Sequence, residues 1–231
     1  MSLKAFSTLA IMEASVSPHV SHAMLNDGIV EARAYQLEAV DEALSSSMLL
    51  VMPTAAGKTA VIWMMVSEKL SRGGRVMMIA PTVGLVEQHI RSLREVLKLK
   101  DGIVQITGQL PPAKRVEKWD GARLVVATPK VVVNDVSNGV VDLSDFSVLV
   151  VDEAHHCTGD HAMAQVCDNY ISKNVRPHIL GVTASPGHRP EAVREICKRT
   201  GAVRIHIRNS AEEMLSGYLS ELEVREITVA V

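Results

Sequence analysis

Aromatic residues are scarce in this chain. Its 231 residues hold 2 Phe, 3 Tyr and 2 Trp, while hydrophobic residues reach 47% and methionine alone counts 11. A core is affordable at this length, but it must be aliphatic and methionine-rich, and one good-sized domain is expected. An excess of positive charge is also missing: 24 Lys and Arg face 26 Asp and Glu, for a net charge of −2. That argues against a bulk basic nucleic-acid binder, and leaves room for a local phosphate-binding face made of backbone amides. Cysteines are few, odd in number and widely spaced (Cys157, Cys167, Cys197). They form no disulfide framework and point to a reducing, cytoplasmic setting. No apolar run approaches the ~20 residues of a membrane span. Lys4 to Met12 is too faint a signal-peptide pattern to set against the intracellular reading. There is no internal repeat and no low-complexity segment.

What the chain does have is alternation. Short, nearly continuous apolar runs at Ser47–Met52, Arg75–Ala80, Gly102–Thr107, Arg123–Ala127, Ser147–Val151, His178–Thr183 and Val203–Ile207 read as strands buried on both faces of a parallel sheet. Helical spacing fills the gaps: Ile29–Ser45, Lys58–Leu70, Val83–Leu99, Pro111–Trp119, Lys130–Ser137, His161–Ser172 and Pro190–Thr200. Gly73-Gly74 stops the second helix and Gly201 the last. Proline stands at the entry of the Pro111 and Thr128-Pro129 helices. This pattern predicts an α/β fold: a doubly wound, mainly parallel sheet of about seven strands with helices on both faces. Ligands in such a sheet bind beyond the carboxyl ends of the strands. Residues 1–27 are expected to be an N-terminal leader, with a short helix in Leu3–Val16. Residues 28–208 are expected to be the domain. Residues 209–231 are expected to be an exit helix and strand, with a Ser210-x-x-Glu213 capping box.

The organising stretch is Met52-Pro53-Thr54-Ala55-Ala56-Gly57-Lys58-Thr59, set between an apolar strand and an amphipathic helix. A Gly-Lys-Thr at a helix start is the phosphate cradle of a P-loop NTPase. The unpaired amides of the loop Thr54, Ala55, Ala56 and Gly57 would hold phosphate oxygens at the positive end of the helix dipole. Lys58 would neutralise the β- and γ-phosphates and Thr59 would ligate Mg²⁺. The usual first glycine of the pattern falls on Met52. A second apolar strand ends in Asp152-Glu153-Ala154-His155. Asp152 could hold Mg²⁺ through water, and Glu153 could orient and deprotonate an attacking water. A third strand ends in Thr183-Ala184-Ser185, whose hydroxyls could bond His155 and report nucleotide state. Two more strands lead into helix starts, at Pro81-Thr82 (with Gln88 following) and at Thr128-Pro129-Lys130. Both suit nucleic-acid backbone phosphates.

Taken together, these stretches resemble the motifs of a superfamily 2 DEAH-box helicase, and the chain looks like its first RecA-like lobe. The superfamily tolerates loss of the first P-loop glycine. The resemblance implies ATP and Mg²⁺ as cofactors and a catalytic set of Lys58, Asp152, Glu153 and His155. It also implies an adenine-reading segment in Arg33-x-Tyr35-Gln36, with Gln36 on the adenine edge and Arg33 or Tyr35 near the ring. A closer resemblance, to the archaeal Hef and FANCM branch that neighbours the Dicer and RIG-I-like helicases, rests on four stretches in order. They are Thr107-Gly108-x-x-x-Pro112-x-x-Arg115-x-x-x-Trp119, Ala127-Thr128-Pro129-Lys130, Asp152 to His155, and His178 to Gly187. His156 departs from it, standing where that branch often carries Arg. Within this resemblance the expected partners are nucleic acid, DNA favoured over RNA, and a second RecA-like lobe that supplies an arginine finger; no membrane is expected. Such fingers contribute roughly three to five orders of magnitude in rate, so this chain alone is expected to bind ATP weakly and hydrolyse it very slowly.

Two rivals differ in chemistry. An RNA helicase or double-stranded-RNA-stimulated ATPase keeps the fold and changes the polymer. A P-loop kinase or non-hydrolysing nucleotide module is opposed by Glu153 beside Asp152 and by the Thr-Ala-Ser turn. A zinc site from His155, His156, Cys157, His161 and Cys167 matches no common zinc spacing. Arg91, Arg94, Lys98 and Lys100 read as a solvated helix face.

Overall fold

The computed structural model describes residues 7–8, 19–53, 56–187 and 189–207. Seven strands form one sheet: Met48–Val51 (β3), Val76–Ile79 (β4), Ile103–Ile106 (β5), Leu124–Ala127 (β6), Val148–Asp152 (β7), Ile179–Thr183 (β8) and Arg204–Ile207 (β9). All six pairings are parallel, in the order β5-β6-β4-β7-β8-β3-β9. The expected α/β sheet is therefore what forms. Seven helices cover it: Ala34–Ser45 (α1), Lys58–Ser71 (α2), Val83–Val96 (α3), Pro112–Asp120 (α4), Pro129–Ser137 (α5), Ala162–Lys173 (α6) and Pro190–Thr200 (α7). Among the described residues, no helix is long and apolar enough to cross a membrane.

The apolar runs become strands because both faces are enclosed. Alternate side chains of a strand leave on opposite sides. Met48, Leu50, Met78, Val126, Val150 and Leu180 pack with α1, α2 and α3, while Leu49, Met77, Val125, Val151 and Ile179 pack with α4 to α7. Each such side chain contributes roughly 1.5–3 kcal/mol by leaving water, against about 1 kcal/mol for a ladder hydrogen bond. Burial, more than pairing, therefore selects these runs as central strands.

Three elements differ from the sequence expectation. The helix expected from Ile29 starts at Ala34, because Gly28 has φ +76° and Glu31 bridges His19 in extended backbone. Helix α3 ends at Val96 rather than Leu99, because Leu97 bridges Leu25 and the Lys98 amide donates to the Met24 carbonyl. The expected leader helix over Leu3–Val16 is not what forms at Ser7–Thr8 (β1), which pairs antiparallel with Val20–Ser21 (β2). Hydroxylic residues suit a ladder better than a helix interior. From residue 19 on, the expected leader is part of the packed domain: Val20 and Leu25 are core residues. The expected Ser210 capping box and the strand from Leu222 lie outside the described residues.

One buried ion pair joins α4 to α5. Arg115 Nε and Nη2 donate to Asp135 at 2.8 and 2.7 Å, and Trp119 Nε1 adds a third bond to the same carboxylate at 2.9 Å. Arg115 Nη1 donates to the Leu110 carbonyl at 2.7 Å. The hydrogen bonds to Asp135 hold the Arg115 pKa above its usual value. Losing one partner would strand a charge out of water. Asp135→Ala is expected to cost about 3–5 kcal/mol in urea unfolding. The double change Arg115→Met with Asp135→Leu should recover most of it. Equal losses for the single and double changes would contradict this account.

Candidate nucleotide and nucleic-acid site

Strand order decides what meets at the carboxyl end of the sheet. β8 lies between β3 and β7, so the Gly-Lys-Thr loop and the Asp-Glu turn flank the end of β8. Thr183, fully buried, stands at that point. It pairs with Val51, and its carbonyl accepts from the Met52 amide at 3.1 Å. Its Oγ1 lies 3.1 Å from His155 Nδ1 and accepts from the Ser185 amide at 3.2 Å. One threonine thus ties the root of the phosphate loop to the Asp152–His155 turn. The link expected between the small hydroxyls and His155 runs through Thr183; Ser185 itself is exposed.

The loop closes on glycine. Gly57 caps α2 with φ +83°, a left-handed conformation that suits Gly. A Cβ there would also lie 2.1 Å from Gln36 Nε2. Gln36, 2% exposed, donates from Nε2 to the carbonyls of Ala56 and Gly57 at 3.3 Å each. Tyr35 Oη donates to the Ala56 carbonyl at 3.1 Å, and Arg33 Nη1 donates to Tyr35 Oη at 3.2 Å. The Arg33-Tyr35-Gln36 segment is therefore packed on the phosphate loop. Among the described residues, Gln36 Oε1 is buried with no hydrogen-bond partner, an acceptor suited to an amino group such as that of a purine. Thr54 and Ala55 lie outside the described residues; Thr59 is half-buried in the first turn of α2.

Lys58 is nearly buried and its Nζ donates to the Met52 carbonyl at 2.8 Å. Burial lowers its pKa, opposed by the nearby Glu153 and Asp152 carboxylates. The loop lysine and both acids thus share one electrostatic neighbourhood. Glu153 has φ +55° and ψ +47°, left-handed backbone on a non-glycine residue. Such strain costs on the order of 1–3 kcal/mol and gathers at functional sites. Its carboxylate lies 3.2 Å from His155 Nδ1. Asp152 is 7% exposed, and its Oδ2 lies 2.7 Å from His89 Nε2 of α3. The carboxylate of Asp152 and the hydroxyl of Thr59 are hard oxygen donors, the chemistry a magnesium ion takes when it keeps most of its waters.

The other candidates lie farther along the same edge, beyond β4 and β6. Thr82 caps α3, its side chain accepting from the Leu85 amide at 3.2 Å; Pro81 is half-buried and Gln88 is exposed. Thr128 caps α5 with Pro129 at the first turn, and Pro129 is buried. Arg91, Arg94, Lys98 and Lys100 are exposed. His156 stacks on His161 with ring centroids 5.1 Å apart and lies tilted against His155 at 4.2 Å, and burial, then the two neighbouring histidines, lowers its pKa.

Residues 33–193 match the model of the DEAD/DEAH box helicases, a span that holds every motif just described. The chain belongs to the DEAD/DEAH box helicase family. Among relatives of this helicase chain, it is similar to the Methanocaldococcus jannaschii protein MJ1505, provisionally named an ATP-dependent RNA helicase. They share 36% identity over 212 residues, 91% of this chain and 27% of the relative. It is also similar to the Drosophila melanogaster DEAD-box ATP-dependent DNA helicase Fancm, 32% identical over 206 residues, 86% of this chain and 14% of the relative. The Pyrococcus furiosus Hef helicase domain superposes with a TM-score of 0.77 at 34% identity, over 81% of this chain and 41% of that one. The helicase chain thus spans 14% to 27% of the length of these two curated relatives. The resemblance to the Hef and FANCM branch holds.

Two groups in this helicase chain escaped the sequence reading. His89, next to Gln88, was assigned no role; a buried histidine near a strand-end acid shows only in three dimensions. Asp135 was not singled out at all; Arg115 and Trp119, at i and i+4 and quoted only for the family resemblance, are the signal that could have pointed to a shared partner. Gly57→Ala is expected to lower stability by roughly 1–3 kcal/mol through its backbone conformation and its contact with Gln36. Adding Gln36→Ala should return part of that loss in urea unfolding. No recovery in the double variant would show that the contact does not constrain the loop.

Proposed function

We propose that this chain is the ATP-binding, first RecA-like lobe of a Hef-like ATP-dependent DNA helicase or translocase, acting on branched or single-stranded DNA. The observation that carries the reading is the meeting of Lys58, Asp152, Glu153 and His155 around Thr183 at three adjacent strand ends. ATP with Mg²⁺ supplies the cleavable γ-phosphate bond and the counter-charge for it. The residues do the rest. The Gly57 turn and the α2 amides cradle phosphates. Lys58 exchanges its bond to the Met52 carbonyl for a phosphate oxygen. Thr59 and Asp152 hold the cation. Glu153 takes the proton of the attacking water. Gln36 Oε1 accepts from the base. Pro81, Thr82, Gln88, Thr128 and Pro129, beyond β4 and β6, face the nucleic-acid backbone.

Thr183 makes the two halves one machine. A shift of His155 as the γ-phosphate is lost is felt at β8 and at the Ser185 turn, which lies toward a second lobe. This chain covers 41% of the Hef helicase domain, and the reading includes a partner lobe that would bring the arginine finger. DNA is favoured by the Fancm likeness; the name of the M. jannaschii relative keeps RNA as the second reading.

The expected behaviour is weak nucleotide binding with very slow turnover. Lys58→Ala should abolish binding of a fluorescent ATP analogue. Turnover by this chain should fall about three to five orders of magnitude short of a two-lobe enzyme. Brisk hydrolysis by this chain alone would overturn the half-site reading. With the second lobe present, ATPase stimulation by single-stranded or branched DNA should exceed that by RNA of equal length; the reverse order would favour the RNA reading.

A further inference from the structure

Asp152 is the last residue of β7, and its register places it on the face covered by α3. Val150 and Val148, two and four residues earlier, pack in the same layer as Val86 and Ile90 of α3. Across that layer stands His89, also on α3 and 7% exposed, with Nε2 2.7 Å from Asp152 Oδ2. The side chains on both sides of this contact are nearly dry, at 9% and 11% exposure. Among the described residues, Oδ2 is the carboxylate oxygen with a hydrogen-bond partner. On the other side, Lys58 feels the same carboxylate from the phosphate loop. Asp152 is therefore gripped from below by α3 and drawn from above by the loop.

We propose that His89 is a positioning residue for the cation-holding carboxylate of Asp152, an inference that rests on the nucleotide-site reading above. The terminal torsion of an aspartate is broad and nearly two-fold. A donor on Oδ2 selects one setting and turns Oδ1 toward the loop. In this contact the Nε2 of His89 donates and the ionised carboxylate accepts. Groups that orient a ligand in this way typically change metal affinity 10- to 100-fold when removed. The contact also carries a mechanical consequence. His89 follows Gln88 on α3, and α3 begins at the Thr82 cap. The orientation of the acid is thereby tied to the placement of the helix whose start is assigned to the nucleic-acid backbone. A simple core pair would need a partner for a buried carboxylate, and nothing more. The distinguishing property is selectivity: a positioning role changes cation-dependent binding and leaves cation-free binding alone.

The test measures affinity for a fluorescent ATP analogue in Mg²⁺ and in excess EDTA, using this chain and its His89→Ala, His89→Asn and His89→Gln variants. The Gln amide reaches about as far as Nε2; the Asn amide falls one methylene short. The expected result is a Mg²⁺-dependent gain in affinity that shrinks about 10- to 100-fold in Ala and Asn. Gln should keep most of it, and the EDTA affinities should agree within about twofold. The Asn and Gln contrast decides the matter on its own should the Ala variant fail to fold. The inference is overturned if Asn and Gln show the same Mg²⁺ dependence as the parent chain, or if they lose affinity equally in Mg²⁺ and EDTA. If the parent chain binds no better than Lys58→Ala, or gains nothing from Mg²⁺, the nucleotide-site reading itself falls and takes this inference with it.

Discussion

The site depends on the placement of β8 between β3 and β7. Parallel pairing brings the carboxyl ends of these three strands to one level, and Thr183 occupies the middle end. Its carbonyl holds the Met52 amide and its hydroxyl meets His155. A strand order with β7 directly beside β3 would leave the loop and the acids in contact but without this intermediate. Here the Asp-Glu turn touches a strand that also carries the Thr-Ala-Ser turn. The core supports this geometry from both faces, and it does so with aliphatic side chains and methionines, since aromatics are few. Phe146 and Trp119 are exceptions, packed edge to face at 6.3 Å with Arg75 over the Phe146 ring.

Much of this was legible in the chain. Apolar runs that are buried on both faces lack alternation, so length and punctuation identified all seven strands to within a residue or two. The motif residues at their ends were visible for the same reason: a polar group after four or five apolar ones is conspicuous. Helix ends were less legible. The start of α1 and the end of α3 were decided by backbone bridges to residues 19–31, which lie far away or in another conformational region, and local spacing carries no trace of them. Partnerships between side chains were the least legible. His89 reads as one residue of an amphipathic helix, and Asp135 as a helix polar position. Their roles come from tertiary neighbours 63 and 20 residues away.

Two of the buried charged groups serve two different purposes. Arg115 with Asp135 closes a bidentate pair that also satisfies Trp119, and so fixes α4 on α5 beside the Thr128 cap. Among the described residues, Asp152 is buried with a single histidine on one carboxylate oxygen. Satisfied pairs of the first kind give rigidity and specify one arrangement. Half-engaged groups of the second kind are the ones a ligand can complete. The same distinction separates Gln36, whose amide nitrogen braces the loop while its oxygen has no partner.

The bond from Lys58 to the Met52 carbonyl makes the phosphate loop its own competitor. The ammonium already has an acceptor at 2.8 Å in a nearly dry pocket. On the proposed reading, an arriving phosphate would have to displace that carbonyl, and a departing one would be replaced by it without exposing a bare charge. Exchange of one internal acceptor for an external one lowers the gain on arrival and the barrier on departure together. On the proposed reading, such a loop suits turnover of a nucleotide better than its retention.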